Sequence, residues 1–322
     1  MKAFLKSREF MLIIFLAVVV SAVSISNPRF FSGENFIEIL NNASYSTVAA
    51  LGMTMIIITG GIDVASGAVM AVLAIACGEM CLLGMSPIAY LGITLLLGVL
   101  FYTISGMLIV KLDVPPMICT LAMSSIIRGL ILLITGGNWV KGLPKSFNVI
   151  GKGMVGAIPI PVIITLVMVG IISLVMMKTP FGRGIYAVGS NKNAARLAGV
   201  NVQATIIGTW AVAGFLLALA AILYATRHNT LQSNIGTTLH IELIAASIIG
   251  GTSILGGSGR PVGTFLGMTA LIIFKTAMVY IGISTYWEQA LDGVLILVAI
   301  ILGMINFEEA KSKRRQGNEA AQ

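Results

Sequence analysis

The side chains of this chain that could carry out chemistry are few, and their spacing does not assemble a reactive site. There are two histidines, His228 and His240, and three cysteines, Cys77, Cys81 and Cys119. Cys77 and Cys81 would share a helix face, but no histidine or further cysteine stands near them, so we interpret the cysteines as small buried hydrophobes. The sequence has no G-x-x-x-x-G-K-[ST] phosphate loop and no nucleophile–base spacing. It therefore predicts no enzyme, no metal site and no cofactor on this chain.

Charged residues inside apolar stretches are the more informative group. Six of them fall toward the same half of the predicted membrane spans: Glu79, Arg128, Lys275, Glu242, Glu288 and Asp292. They either form ion pairs or snorkel to the interface, or else they line a polar path for a solute. An arginine in the middle of a span costs ~2.5–3.5 kcal/mol on insertion scales if it faces lipid. For Arg128 we therefore predict a partner acid from another span, the candidates being Glu79, Glu242, Glu288 and Asp292.

Two glycine-rich corners form a second group of candidates. The first reads Gly60-Gly61-Ile62-Asp63-Val64-Ala65-Ser66-Gly67, and the second begins Gly250-Gly251-Thr252 and ends at Gly259. The corners are either echoes of an internal repeat, as transporters often have, or tight turns, and Asp63 either caps the next helix or belongs to an inner gate. The residues that we assign to a translocation path or gate are Gly60, Gly61, Asp63, Arg128, Gly250 and Gly251.

The elements that must position these residues are membrane-spanning helices. The chain is 57% hydrophobic and 10% charged, whereas a soluble domain carries about 25% charged residues. Long apolar runs in which polar and apolar residues do not alternate indicate helices rather than the strands of a barrel. We predict an all-α integral membrane protein of about ten spans, with eight or nine as alternatives, at 10–26, 43–61, 64–83, 88–110, 114–136, 159–177, 203–225, 240–253, 261–282 and 287–306. The first is interpreted as an uncleaved span rather than a signal peptide.

The net charge of +8 is distributed as a topology signal rather than as a nucleic-acid surface. With the N-terminus in the cytoplasm, 13 lysines and arginines fall in inside segments and five in outside segments, so the positive-inside rule places both termini in the cytoplasm. The basic segments would contact lipid headgroups. We expect one transmembrane domain over 1–306, followed by a polar cytoplasmic tail over 307–322.

The longest inside segment, 178–202, carries four basic and no acidic residues. Within it the sequence predicts a short helix that Ser190 or Asn191 caps and that Gly199 ends. A helix of about two turns is unstable in water by itself, so it must be docked. It either lies on the membrane surface or fits a groove of a partner protein.

Several motifs resemble those of bacterial ABC-importer permeases of the ribose, simple-sugar and autoinducer-2 family. In the inside segment the resemblance rests on Thr179-Pro180-Phe181-Gly182-Arg183, then Tyr186-Ala187-Val188-Gly189, then Ala194-Ala195-Arg196-Leu197-Ala198-Gly199-Val200. Elsewhere it rests on the Gly60–Gly67 corner, the Gly250–Gly259 run, and Arg128-Gly129 followed by Thr135-Gly136-Gly137. The resemblance covers about residues 35 to 305. It implies about ten helices per subunit, a dimer of like or related permease subunits, a cytoplasmic ATPase pair that binds ATP and Mg, and an extracytoplasmic solute-binding protein.

The same resemblance makes the inside segment the cytoplasmic coupling loop and its short helix the coupling helix. The residues that it assigns to ATPase coupling are Ser190, Asn191, Asn193, Ala194, Ala195, Arg196, Leu197 and Gly199. We expect an Ala195→Asp substitution to weaken ATPase docking while the permease still folds, because a new carboxylate would be desolvated on docking.

The function that these signals predict is the membrane-spanning subunit of an importer for a sugar-like solute in the bacterial inner membrane. A secondary transporter driven by an ion gradient is the alternative, but such proteins usually place ionisable residues near the bilayer midplane. The sequence does not identify the solute, because a separate binding protein would carry most of the selectivity. The stretch 135–144 resembles autoinducer-2 permeases more than ribose permeases.

Overall fold

The computed structural model describes residues 8–287 together with 290, 293, 294 and 297. The predicted span 287–306 therefore lies almost wholly outside the described residues, as do the predicted tail 307–322 and the acids Glu288 and Asp292. Within the described part the chain is predominantly helical, and each of the first nine predicted spans contains one of its helices.

The helices in chain order are α1 (Arg8–Ser26), α2 (Gly33–Ile58), α3 (Ser66–Leu82), α4 (Pro87–Lys111), α5 (Pro116–Thr135), α6 (Val149–Lys152), α7 (Ile160–Lys178), α8 (Pro180–Ser190), α9 (Lys192–Leu197), α10 (Val202–Arg227), α11 (Leu239–Ile249) and α12 (Pro261–Tyr280). Short 3-10 helices cover Pro28–Phe31, Lys145–Asn148 and Thr285–Trp287. A two-stranded hairpin pairs β1 (Met154–Val155) antiparallel with β2 (Ile158–Pro159), with Met154 opposite Pro159. Among the described residues, five helices are long and apolar enough to cross a membrane, namely α4, α5, α7, α10 and α12.

Helix starts follow local sequence signals. Proline opens α4, α5, α8 and α12, where its missing N–H would have no partner in any case. Side chains that accept a hydrogen bond from the first turn cap α2, α4, α8, α9 and α10; the capping residues are Ser32, Ser86, Thr179, Asn191 and Asn201. The largest boundary difference is at α2, which begins ten residues before the predicted span because Ser32 caps it there. The polar residues Glu34, Asn35 and Glu38 interrupt the apolar pattern in its first two turns.

Helix α10 forms the centre of the bundle and packs against α2, α3 and α4. Its Trp210 is 1% exposed and lies beside Tyr102 of α4, with ring centroids 5.7 Å apart. A Cβ added at Gly214 of α10 would lie 2.3 Å from the carbonyl oxygen of Gly98 in α4. Small residues at this crossing therefore let the two backbones approach, as is usual where dispersion rather than water drives packing.

The 178–202 loop joins the end of α7 to the start of α10, and we call the end of the bundle that carries it the loop end. Two other connections, the turn between α2 and α3 and the segment 228–238, run back into the bundle instead of staying at its surface. The turn between α2 and α3 leaves this end at Ile58 and places Gly61 beside Trp210, eight residues or about 12 Å along α10. At the other connection, the irregular segment 228–238 between α10 and α11 brings Gly236 against Gly67 of α3. Both α3 and α11 therefore begin inside the bundle.

Candidate translocation and coupling elements

The 178–202 loop, which the sequence predicts to be the coupling loop, contains two helices, α8 and α9, where the sequence predicts one. The Oδ1 atom of Asn191 accepts hydrogen bonds from the backbone N–H groups of Asn193 and Ala194, both at 3.0 Å, and so caps α9. Gly199, with φ of +82°, follows the end of α9 in the left-handed region that favours glycine. Ser190 is the last residue of α8 and not a cap. The predicted boundaries of the short helix therefore hold, while the helix before it was not predicted.

The exposure of α9 residues divides them into two groups. Asn193, Ala194 and Arg196 are exposed, and Leu197 is 91% exposed. Ala195 is only 4% exposed and faces its own chain. The expectation that Ala195→Asp would test docking alone is therefore wrong, because a carboxylate at this position would already be desolvated in the permease itself.

The two glycine corners contact each other only in part. A Cβ added at Gly256 would lie 3.3 Å from the backbone nitrogen of Gly60, so the end of the second corner meets the start of the first. Gly250 instead contacts α12, where an added Cβ would lie 2.3 Å from the carbonyl oxygen of Gly263, and Gly251 turns the chain away with φ of +94°. Gly250 and Gly251 thus fix the α11–α12 contact rather than joining the other candidates.

Asp63 lies inside the bundle, on the turn that leads into α3. It is 1% exposed, and its Oδ1 accepts a hydrogen bond of 2.8 Å from the backbone N–H of Ala65. The hydroxyl of Tyr102 donates to Oδ2. A cavity of about 10 Å³ borders Asp63, Ser66 and Tyr102. The carboxylate therefore closes the turn just before α3 and does not cap the first turn of that helix, and in this conformation it is buried.

Arg128 holds an irregular backbone segment in place. It lies twelve residues into α5, about 18 Å from the loop end. Its guanidinium donates to the carbonyl oxygen of Ser233 at 3.2 Å and to that of Ile235 at 2.9 Å. Next to it, a Cβ added at Gly67 would lie 1.8 Å from the carbonyl oxygen of Gly236. We call this contact of Arg128, Gly67 and Gly236 the mid-bundle joint.

Residues 35–300 match the protein family described as branched-chain amino acid transport system / permease component. The chain belongs to this permease family. Its motifs, its helices and this match agree that it is a multi-pass membrane protein.

Several relatives of this permease carry the names of sugar-system subunits. The ribose import permease protein RbsC of Bacillus subtilis (strain 168) is 34% identical over 289 residues, which are 89% of this chain and 90% of that protein. RbsC of Haemophilus influenzae is 33% identical over 301 residues, 92% of each chain. The autoinducer 2 import system permease protein LsrC of Escherichia coli (strain K12 / DH10B) is 31% identical over 290 residues, 89% of this chain and 84% of that protein. No solved structure matches the permease significantly.

These findings confirm the resemblance to ribose and autoinducer-2 permeases, and they favour the importer over the ion-gradient alternative. They describe a transport component rather than an enzyme. In the part of the permease that the structure describes, no cluster of His, Cys, Asp or Glu has the arrangement of a metal site.

The prediction of an acid partner for Arg128 is wrong for the acids that the structure describes. Glu242 in α11 contacts the Nζ of Lys275 in α12 at 2.8 Å instead, and Glu79 is exposed. The other two candidates, Glu288 and Asp292, lie outside the described residues. Lys275 and Glu242 therefore pair across two helices, whereas Arg128 is satisfied by main-chain carbonyls.

The sequence analysis did not identify the residues whose contacts position the candidate residues and their helices. Tyr102 is one, because nothing in an apolar helix marks a tyrosine that reaches Asp63. A buried hydroxyl cluster is another: the Oγ1 of Thr54 lies 3.0 Å from the Oγ of Ser247 and 2.6 Å from the Oγ1 of Thr264, joining α2, α11 and α12. Each residue alone looks like an ordinary small polar residue of a membrane helix.

Proposed function

We propose that this permease is the membrane-spanning subunit of a bacterial ATP-binding-cassette importer for ribose or a related sugar-like solute such as autoinducer-2. The observation that carries the solute class is the near full-length similarity to ribose and autoinducer-2 permeases. ATP and Mg bind to a separate ATPase, and a solute-binding protein delivers the solute from outside. This chain binds no cofactor and lies in the inner membrane as one domain over 1–306 with a tail over 307–322.

The proposed topology has about ten spans, with both termini and the loop end in the cytoplasm. The charge distribution supports it, since the coupling loop carries Lys178, Arg183, Lys192 and Arg196. The apolar outer faces of α5 and α7 are broadly exposed in the single chain, and Leu133 and Leu174 are 81% and 62% exposed. Lipid and a second permease subunit, the same chain or a related one, would cover these faces.

The proposed docking element is the exposed side of α9. Leu197 is an apolar side chain that projects from a basic loop, and Asn193, Ala194 and Arg196 flank it on the exposed surface. An exposed leucine on a capped short helix fits the groove-binding mode, in which an apolar anchor is buried by the partner. Asn191 and Gly199 act at the helix ends, while Ser190 and Ala195 act through the fold of the loop.

The proposed path and gate use the elements that begin inside the bundle. Gly60, Gly61 and Asp63 lie on the turn that re-enters at the loop end, and Arg128 lies at the mid-bundle joint, beside Gly67. Gly250 and Gly251 support this region by fixing α11 against α12. Broken helices at membrane depth are a common way for transporters to form a solute site, because irregular backbone is tolerated only where it is buried or lines a cavity.

Docking is tested with Leu197→Asp, for which Leu112→Asp is the matched control. Leu112 is also exposed, at 66%, and lies at the loop end outside α9. We expect Leu197→Asp to lower co-purification of the ATPase at least about tenfold, the effect of a lost hot-spot residue, with unchanged thermal stability of the permease. Equal ATPase recovery from both variants would contradict the assignment of α9.

Transport is tested in proteoliposomes that contain the permease, its ATPase and its binding protein. We expect uptake of radiolabelled ribose or autoinducer-2 with ATP inside and no uptake with an imposed proton or sodium gradient. Uptake that follows the ion gradient without ATP would refute the importer. ATP-dependent uptake of a different class of solute would refute only the sugar assignment.

A further inference from the structure

Three segments that are far apart in the sequence meet at the loop end. The backbone N–H of Gly257 donates to the carbonyl oxygen of Ile58, the last residue of α2, at 2.9 Å. A Cβ added at Gly189 in α8 would lie 1.7 Å from that same carbonyl oxygen and 2.7 Å from the nitrogen of Gly257. We call this contact of Gly189, Ile58 and Gly257 the loop-end joint. It joins the coupling loop to both glycine corners at once.

Tyr186 adds a side-chain connection one helical turn away. Its hydroxyl donates to the carbonyl oxygen of Gly259 at 2.8 Å, and Gly259 lies two residues before α12 begins. Burial raises the pKa of this phenol, so it stays protonated and keeps its donor. The corner that it contacts is itself closed by the hydrogen bonds Ser253 N–H to Ser258 O at 2.9 Å and Gly256 N–H to Ser253 O at 3.0 Å. Tyr186 therefore contacts a turn that is closed by its own hydrogen bonds and leads directly into α12.

The contacts continue from the coupling helix to Asp63. Helix α9 is connected to α8 through Asn191, whose N–H donates to the carbonyl oxygen of Ala187 at 3.1 Å. Helix α8 contacts Ile58 through Gly189, and five residues after Ile58 the carboxylate of Asp63 accepts hydrogen bonds from the N–H of Ala65, just before α3, and from the hydroxyl of Tyr102. A displacement of α8 cannot be absorbed by side-chain rotamers at Gly189, because backbone lies against backbone there.

We propose that Tyr186 and Gly189 are positioning residues that transmit movement of the coupling helix to the ends of α2 and α12, and so to the turn that carries Asp63. This inference rests on the proposed function and goes beyond it, because it assigns transmission to residues that contact neither the solute nor the ATPase. Rigid contact at the joint would make ATPase closure and the opening of the path two outcomes of one movement.

The test uses the reconstituted complex and measures ATP hydrolysis with and without solute-loaded binding protein. Tyr186→Phe removes one hydroxyl and keeps the ring, and Tyr286→Phe, at a 94% exposed tyrosine, is its control. We expect Tyr186→Phe to lower both the stimulation of hydrolysis by the binding protein and ribose uptake about fivefold, the weight of one hydrogen bond. ATPase recovery and hydrolysis without solute should match the wild type.

Gly189→Ala is the second variant, with Gly170→Ala in α7 as its control because an added Cβ there meets nothing within 4 Å. Alanine favours a helix over glycine, so a loss at Gly189 must come from the contact with Ile58. Unchanged stimulation and uptake in Tyr186→Phe would overturn the inference, as would loss of ATPase recovery in parallel with stimulation. If the Gly189→Ala variant fails to fold, the result for Tyr186→Phe alone decides whether the inference holds. A wild-type complex without stimulation would refute the proposed function, and this inference with it.

Discussion

The loop-end joint and the mid-bundle joint are both places where backbone touches backbone, but they are held in different ways. At the loop end, Gly189, Ile58 and Gly257 make a neutral contact in which an N–H finds a carbonyl 2.9 Å away. In the mid-bundle joint, Gly67 contacts Gly236, and the carbonyls of Ser233 and Ile235 need the guanidinium of Arg128 as their donor.

The difference follows from where the irregular backbone lies. A turn at the end of a bundle can satisfy its carbonyls with its own N–H groups or with water. The segment 228–238 enters the bundle, where every unsatisfied carbonyl costs several kcal/mol. A long cationic side chain from α5 supplies two donors there. Asp63 lies between the two joints in the sequence, since Ile58 belongs to one and Gly67 to the other.

Gly67→Ala should have the largest effect and should show that the mid-bundle joint tolerates no side chain. Its Cβ would lie 1.8 Å from the carbonyl oxygen of Gly236 and would push the two backbones apart. We expect a loss of about 3 kcal/mol in the free energy of unfolding, measured by denaturation in detergent. The control is Gly129→Ala in α5, where an added Cβ meets nothing within 4 Å. Equal stability of the two variants would mean that the segments are free to separate.

Arg128→Leu should have the next largest effect. It leaves the carbonyls of Ser233 and Ile235 without their donor, at a cost of about 2 kcal/mol. Combining it with Glu242→Gln or Glu79→Gln should give additive losses, because neither acid contacts Arg128. A double variant that recovers stability would show that a carboxylate pairs with Arg128 after all. Lys275→Met combined with Glu242→Gln should by contrast be non-additive, since these two are 2.8 Å apart.

Asp63→Asn should have the smallest effect on stability. Its side-chain oxygen can still accept from the N–H of Ala65, so the free energy of unfolding should fall by less than about 1 kcal/mol. Ribose uptake should fall more than the yield of assembled complex, because the turn between the two joints loses the charge that holds Tyr102. Uptake and yield that fall in proportion would make Asp63 a structural residue of the turn and nothing more.

The sequence predicted the positions of the helices of this permease better than the contacts between them. Positions of helices follow from apolar runs and from caps such as Asn191 and Ser86, which act within four residues of themselves. The short coupling helix was predicted because its cap and its terminal glycine are adjacent to it. Helix α8 was missed because Pro180–Ser190 contains three glycines and reads as a loop, and only packing on α10 and α7 keeps it helical.

The sequence by itself determined that this chain crosses a membrane and where its long apolar helices lie, because these depend on local composition and local hydrogen bonds. Only the tertiary structure decided what each candidate contacts. The sequence pointed Arg128 toward an acid, since acids are the partners that a sequence displays. Its actual acceptors are main-chain carbonyls of Ser233 and Ile235, which every residue carries and no residue type marks. Ile58 and Gly257 meet for the same reason, as backbone partners that only the packing of the helices brings together.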